Sequence, residues 1–437
     1  MEIRDLYQLF LQHPTMTTDS RDCPPGSIFF ALRGESFDGN RFAAAALEQG
    51  CAYAVVDDAS VVPAGDERYL LVGDTLKALQ QLAREHRRAM GTTIIGITGT
   101  NGKTTTKELV AGVLQQKYNT LYTQGNFNND IGVPKTLLRL THKHEMAVVE
   151  MGASHPGDIK TLVEIVEPDY GLITNVGMAH LQGFGSFEGV KRTKGELYDF
   201  LRQQLDGIVF LNADNEHLVD MAHDLAVVPY SSQTEMDETT CGRLVECNPL
   251  LKLQWRAPQD HADNRWHEVQ TQLIGAYNID NVLAAVTVGL YFDVPADDIC
   301  HALADYRPSN NRSQLTVTAH NRLIVDAYNA NPTSMRAALD NFALIPEAHK
   351  LAILGDMKEL GEQSLQAHKD IVSLLEHHGF SEVWLIGEEF AKVECAYRKF
   401  HDADEVRAFI AANPVSNHLI LIKGSNSMHL APLQKDL

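Results

Sequence analysis

The chain has 437 residues, 44% of them hydrophobic, and a formal net charge of −20. This length holds roughly two to four domains, each able to bury its own core. The acidic balance argues against nonspecific binding to nucleic acid or to an anionic membrane, so anionic substrates must be captured by local sites.

In chain order, the N-terminus Met1-Glu2-Ile3-Arg4-Asp5 does not read as a signal peptide. To about residue 88, short strands are predicted at 27–32, 52–57 and 69–72, with helical patterns between and after them. This is a small α/β domain with polar loops at 17–21 and 33–39. From about 89 to 306, strands at 92–98, 146–151, 171–176 and 207–212 alternate with helices. These runs are largely apolar, as expected for parallel strands buried on both faces. The more polar span 237–272 reads as an antiparallel excursion, and 276–291 reads as a helix. From about 307, strands at 323–327, 350–354, 382–386 and 418–423 alternate with helical segments in a doubly wound pattern. The expected class is α/β in three domains: a small N-terminal domain (1–88), a central phosphate-loop-type mononucleotide-binding sheet (89–306) and a C-terminal Rossmann-like domain (307–437). Six scattered cysteines form no C-x-x-C pair, and no apolar run reaches bilayer length. A cytoplasmic monomer without membrane insertion is expected.

The most informative stretch joins the 92–98 strand to a helical pattern at 104–118: Gly99-Thr100-Asn101-Gly102-Lys103-Thr104-Thr105. Backbone N–H groups in such a turn cradle phosphate oxygens, and the helix N-terminus adds positive potential. Lys103 reaches terminal phosphates and the Thr104 hydroxyl suits magnesium, so ATP is the expected ligand. The general phosphate-loop pattern puts its first glycine where this chain has Ile97; the glycine falls one earlier, at Gly96.

Other candidates are less specific. Glu150 ends an apolar strand, where a carboxylate suits magnesium and equally suits solvent. His180 follows the 174–179 loop; a lone histidine is more often structural than a ligand. Lys194, in Lys191-Arg192-Thr193-Lys194, reads first as part of a solvated basic helix face. A chemical role would require a lowered pKa beside other cations and metal. Asn278 and Asn281 open a helical pattern, where capping is the simpler reading and contact with an adenine edge the alternative. Asp326 precedes a turn containing Asn329, Asn331 and Pro332. Lys423-Gly424-Ser425 ends the last strand, to meet phosphate or simply to turn.

These motifs, in this order and across essentially the whole chain, resemble the ATP-dependent Mur ligases, which build the peptide stem of bacterial cell-wall precursors. The family form of the loop, Gly-Thr-Asn-Gly-Lys-Thr, matches Gly99 to Thr104 and accounts for Ile97. The segments Gly125-Asn126-Phe127-Asn128-Asn129-Asp130-Ile131-Gly132-Val133-Pro134, Thr18-Asp19-Ser20-Arg21 and Leu354-Gly355-Asp356-Met357-Lys358-Glu359-Leu360-Gly361 are similar to those of members that join D-alanyl-D-alanine to UDP-N-acetylmuramoyl-tripeptide. The resemblance implies ATP and two Mg2+ sites, with Thr104 and Glu150 at the first and His180 at the second. It also implies that Lys194 is carbamylated by CO2 and serves as a carboxylate ligand to the second metal. Asn278, Asn281, Arg312, Asp326 and Lys423 are implied on the nucleotide side. Ser20, Arg21 and the 35–39 loop would hold the UDP-sugar, Asn126, Asn128 and Asn129 the peptide, and Asn329 and Asn331 would also face substrate. Two departures stand out: Asn311 before Arg312, where the family usually has Gly, and Asn426, where it often has Arg.

Overall fold

The short apolar runs of the first 88 residues pair into a parallel sheet in the computed structural model, which describes residues 1–308 and 313–437. Its strands are β1 (Met16–Thr17), β2 (Ile28–Phe30), β3 (Tyr53–Val56) and β4 (Tyr69–Leu71), in that order. Phe29, Ala54 and Val56 of the sheet pack with Ala43, Ala46 and Leu47 of the helix Ala43–Glu48. The following helix, Thr75–Met90, starts at Asp74, whose carboxylate accepts from Lys77 N. It ends at Gly91, whose φ of 66° is the left-handed closure that glycine adopts without strain.

The described residues form two compact units. The first comprises Met1–Gly96, Tyr118–Gly152 and Asp158–Asp169; the second comprises Ile97–Lys117, Ala153–Gly157 and Tyr170–Leu437. β5 (Thr93–Thr98) therefore starts in the first and ends in the second. The first unit also contains β6 (Thr120–Tyr122) and β7 (Met146–Glu150), which pair in parallel. β7 is buried at every residue.

In the second unit, β8 (Tyr170–Ile173), β9 (Ile208–Asn212) and β10 (Ala226–Ser231) are parallel neighbours. The expected antiparallel excursion is present as β11 (Thr240–Cys247), β12 (Leu250–Arg256) and β13 (His267–Ile274). The last sheet contains β14 (Gln314–Val317), β15 (Arg322–Asp326), β16 (Lys350–Gly355), β17 (Glu382–Ile386), β18 (Arg398–Phe400) and β19 (Leu419–Lys423), in the order β14-β15-β19-β16-β17-β18. Its β14–β15 pair is antiparallel and its other pairs are parallel. Met335, Leu339 and Phe342 pack on one face with Ile371 and Leu375; Val406, Ile410, Leu430 and Leu433 belong to the core of the other. Helices on both faces leave the carboxyl ends of the strands as the place where such a sheet meets ligands. The fold is thus α/β in three sheet regions, as expected. No helix among the described residues is long and apolar enough to cross a membrane.

Candidate active site

β5 runs into a turn that requires glycine. Gly99 has φ 140°, and a Cβ there would lie 2.0 Å from Thr174 Oγ1. Gly102 has φ 79° and immediately precedes the helix Lys103–Leu114; its Cβ would lie 2.6 Å from Asn281 Oδ1. Between these glycines the loop is clamped by the polar residues that follow β8. Asn175 accepts from Thr100 N through its backbone oxygen (2.9 Å) and from Asn101 N through Oδ1 (3.0 Å). Its Nδ2 and the Thr174 hydroxyl both donate to Asn101 O, at 3.0 and 2.6 Å. Thr100 Oγ1 accepts from Gly177 N at 2.9 Å.

The Thr100 and Asn101 N–H groups are therefore engaged within the protein. The cradle falls to the first-turn N–H groups of Lys103, Thr104 and Thr105, which an α-helix cannot satisfy internally. Lys103 Nζ folds back over the loop to Gly99 O (2.8 Å) and Thr100 O (2.9 Å), placing its ammonium at the mouth. Behind the loop, Thr106 Oγ1 donates to Asn281 Oδ1 (2.9 Å), Asn281 Nδ2 to Asn278 Oδ1 (2.8 Å) and Asn278 Nδ2 to Ile274 O (2.8 Å). The simple capping role is thus corrected. Asn278 has a helical backbone (φ −79°, ψ −6°) and makes no side-chain cap, because reaching back to a first-turn N–H requires an extended residue.

The segment after β8 brings two more candidates together. His180 Nδ1 meets the Glu359 carboxylate, and Gln182 N donates to Glu359 O at 3.3 Å. His180 (φ 50°) and Glu359 (φ 65°) are both left-handed without being glycine, a conformation that costs about 1–3 kcal/mol and persists where surrounding contacts enforce it. Burial lowers the His180 pKa; Glu359 opposes the shift, while Lys103 and Lys194 add to it. With Nδ1 on a carboxylate, Nε2 is the ring nitrogen left for another ligand, the arrangement that orients metal-binding histidines.

Lys194 is 2% exposed. The solvated-face expectation is wrong: Val190, Lys194, Leu197 and Leu201 share the buried face of the helix Phe187–Leu201, at helical spacing. Its Nζ lies 5.4 Å from the centre of the Phe184 ring, which also meets His180 in a T-shaped contact.

At the carboxyl ends of the last sheet, Asp326 and Lys423 are register partners on β15 and β19. Lys423, 1% exposed, donates to Asp326 Oδ2 at 2.5 Å and Asn329 O at 3.4 Å. Asn331 caps the helix Pro332–Leu344 in a capping box with Ser334, and its Nδ2 donates to Asn101 Oδ1 at 2.8 Å. It thereby ties the last sheet region to the phosphate loop. Asn311 and Arg312 lie outside the described residues. Asn426 is exposed and opens a short 3-10 turn.

The remaining candidates belong to the first unit. Glu150, 1% exposed, ends β7; its Oε1 accepts from Asn128 Nδ2 at 2.8 Å. Asn129 Oδ1 accepts from Gly132 N at 2.8 Å, closing onto the helix Gly132–Leu137, while Asn126 is exposed. Arg21 grips Asp19 through Nε (2.9 Å) and Nη2 (2.8 Å), holding that carboxyl far below its usual range, and Ser20 lies between them. Lys135 sits near the Phe127 ring; burial lowers its pKa, against the pull of Asp19. In the 35–39 loop, Asp38 accepts from Asn40 N and Nδ2, and Asn40 Nδ2 also donates to Asp57.

Three family models match the chain: the Mur ligase family, catalytic domain, at 15–87, the Mur ligase middle domain at 97–289, and the Mur ligase, glutamate ligase domain, at 311–426. The UDP-N-acetylmuramoyl-tripeptide–D-alanyl-D-alanine ligase of Bacillus subtilis is 33% identical over 435 residues, covering 97% of this chain and 92% of that protein. The chain belongs to the Mur ligase family. Its relative of the same name in Escherichia coli is 34% identical, over 94% of this chain and 91% of that protein. Among solved Mur ligases, MurF from Acinetobacter baumannii is similar with a TM-score of 0.84 and 32% identity, covering 97% of this chain and 93% of that one.

Four residues of this Mur ligase escaped the sequence reading. Thr174 and Asn175 are the clamp of the phosphate loop, and the available signal was a polar pair directly after an apolar strand. Glu359 is the partner of His180 and lies in the 354–361 segment, which gave no sign of that pairing; Lys135, the buried cation near Asp19, had no local signal, because its partner is distant in sequence.

Proposed function

We propose that this Mur ligase joins D-alanyl-D-alanine to UDP-N-acetylmuramoyl-tripeptide, converting ATP to ADP and phosphate, in cytoplasmic synthesis of peptidoglycan precursors. The observation that carries the reading is the clamped loop 99–106, with Lys103 at its mouth and His180, held on Glu359, and buried Lys194 in the same unit. Relatives bearing that activity in their names, 33% and 34% identical over most of the chain, support the choice of substrates.

In this reading the terminal carboxylate of the tripeptide attacks the γ-phosphorus, giving an acyl phosphate and ADP. The dipeptide amine then attacks the acyl carbon and displaces phosphate. Two anions approach in the first step, so positive charge must be in place beforehand. Lys103 and the helix N-terminus supply it at the nucleotide, and Lys194 supplies more beside His180.

Bound Mg2+ would add further charge neutralisation between carboxylate and phosphate. The residues present suit it. The buried Thr104 hydroxyl is the loop's oxygen, and His180 offers Nε2 with its other nitrogen already on Glu359. The place of Glu150 as a ligand rests on the sequence pattern. Carbamylation of Lys194 gains no support from the relatives and is set aside. The domain bounds 1–88, 89–306 and 307–437, and a monomeric state, belong to the same proposal.

The test is phosphate release from ATP with each substrate alone and with both, with mass spectrometry of the product. Release that needs both, and a product mass of tripeptide plus dipeptide less one water, is expected. Turnover with neither substrate, or only with another amine, would overturn the assigned reaction.

A further inference from the structure

At the amino ends of three adjacent strands of the last sheet, two histidines and a glutamate come together. His349 directly precedes β16, Glu382 is the first residue of β17, and His418 directly precedes β19. These three strands are adjacent, and Leu419 N donates to His349 O at 2.9 Å, which fixes the two histidines side by side. Their rings lie 5.4 Å apart, and one ligand atom from each of the three residues falls within 4.8 Å of the others.

The hydrogen bonds orient the His418 ring. Its Nδ1 is 2.7 Å from Ser416 O. A carbonyl only accepts, so Nδ1 carries the proton. Nε2 lies 3.2 Å from Glu382 Oε2. The ring nitrogen left over from the backbone carbonyl thus faces a carboxylate oxygen, a pair of donor atoms of the kind that zinc takes. Fixing Nδ1 on a backbone carbonyl is also how a metal-binding histidine is oriented through its other nitrogen.

We propose that His349, Glu382 and His418 form a binding site for a borderline divalent cation of the zinc type, with two imidazoles, one carboxylate and an open position for water. Tetrahedral zinc, with bonds of about 2.0–2.1 Å, places its ligand atoms about 3.3 Å apart. The His418–Glu382 spacing already matches. His349 is exposed and closes the remaining gap by rotating its side chain. Arg322 is paired with Glu347, and Lys350 Nζ is turned to the carbonyls of Phe342, Ala343 and Ile345. The site lies at the amino ends of the strands, whereas Asp326 and Lys423 occupy carboxyl ends. It is separate from the ATP-dependent chemistry and does not rest on the proposed reaction.

The test uses the full chain, stripped of metal with chelator, in equilibrium dialysis against Zn2+ at neutral pH. Six free cysteines also take up soft ions, so the readout is the difference between wild type and the surface variants His349→Gln and Glu382→Gln. The expected result is one Zn2+ per chain fewer, or at least about tenfold weaker binding, in both variants. Their ligase turnover and melting temperature without metal should stay unchanged. Superimposable binding curves for wild type and both variants would overturn the site and leave His418 and Glu382 as a surface contact only.

Discussion

The phosphate loop and the loop at 18–21 are both polar turns that follow short strands, yet they are held in opposite ways. The phosphate loop is fixed from outside by Thr174, Asn175, Gly177, Asn281 and Asn331, all far away in sequence. The 18–21 loop holds itself. Asp19 N donates to Thr17 Oγ1, and Arg21 grips Asp19, with its side chain 89% exposed. The first design presents backbone donors that need no reorganisation when charge develops. The second leaves a cation free to exchange its carboxylate partner for a ligand oxygen.

The largest effect should come from breaking the externally held loop at its tightest point. Gly99→Ala places a methyl on the Thr174 hydroxyl in a backbone region that L-residues rarely adopt. Displacement of the loop by about 1 Å should lower ligase turnover about 100-fold, measured as ATP-dependent phosphate release with both substrates. Asn175→Ala removes the clamp without touching the loop. It leaves Asn101 N without its partner, at a cost of about 1–3 kcal/mol. We expect the KM for ATP to rise about tenfold in steady-state kinetics. Arg21→Ala tests the self-held loop. It should raise the KM for the UDP-linked substrate up to about tenfold and leave kcat unchanged, the signature of lost uniform binding.

The smallest effect is on the stability of the first unit. Burial holds the His86 pKa below the ordinary 6.5, with Nε2 2.9 Å from Leu140 O. The unfolded chain thus binds a proton that the folded one resists, so stability is full above pH 6.5 and falls as pH drops below it. His86→Gln should flatten the dependence of Tm on pH in that acid range, read by calorimetry.

Much of the fold was legible because buried parallel strands are short apolar runs: β5, β7, β9 and β17 were each placed within a residue or two. β10 was not, since Ala226 and Val227 are exposed and Pro229 interrupts the run. Within the site, the loop itself was legible from its glycines. Lys194 was misread because a charge run, Lys191-Arg192-Thr193-Lys194, outweighed the helical spacing that turns Lys194 inward beside Val190 and Leu197. The His180–Glu359 and Asp326–Lys423 pairs join strands and loops far apart in sequence, a relation that local patterning does not encode.

The Asn101–Asn331 hydrogen bond spans 230 residues. On a ribosome adding about 5–20 residues per second, the second partner is made roughly 10 to 50 s after the first. Through that interval the nascent phosphate loop has its glycines and its Asn175 clamp but lacks its most distant tether. The nucleotide site of a half-made chain is thus incomplete until the beginning of the last sheet has been translated.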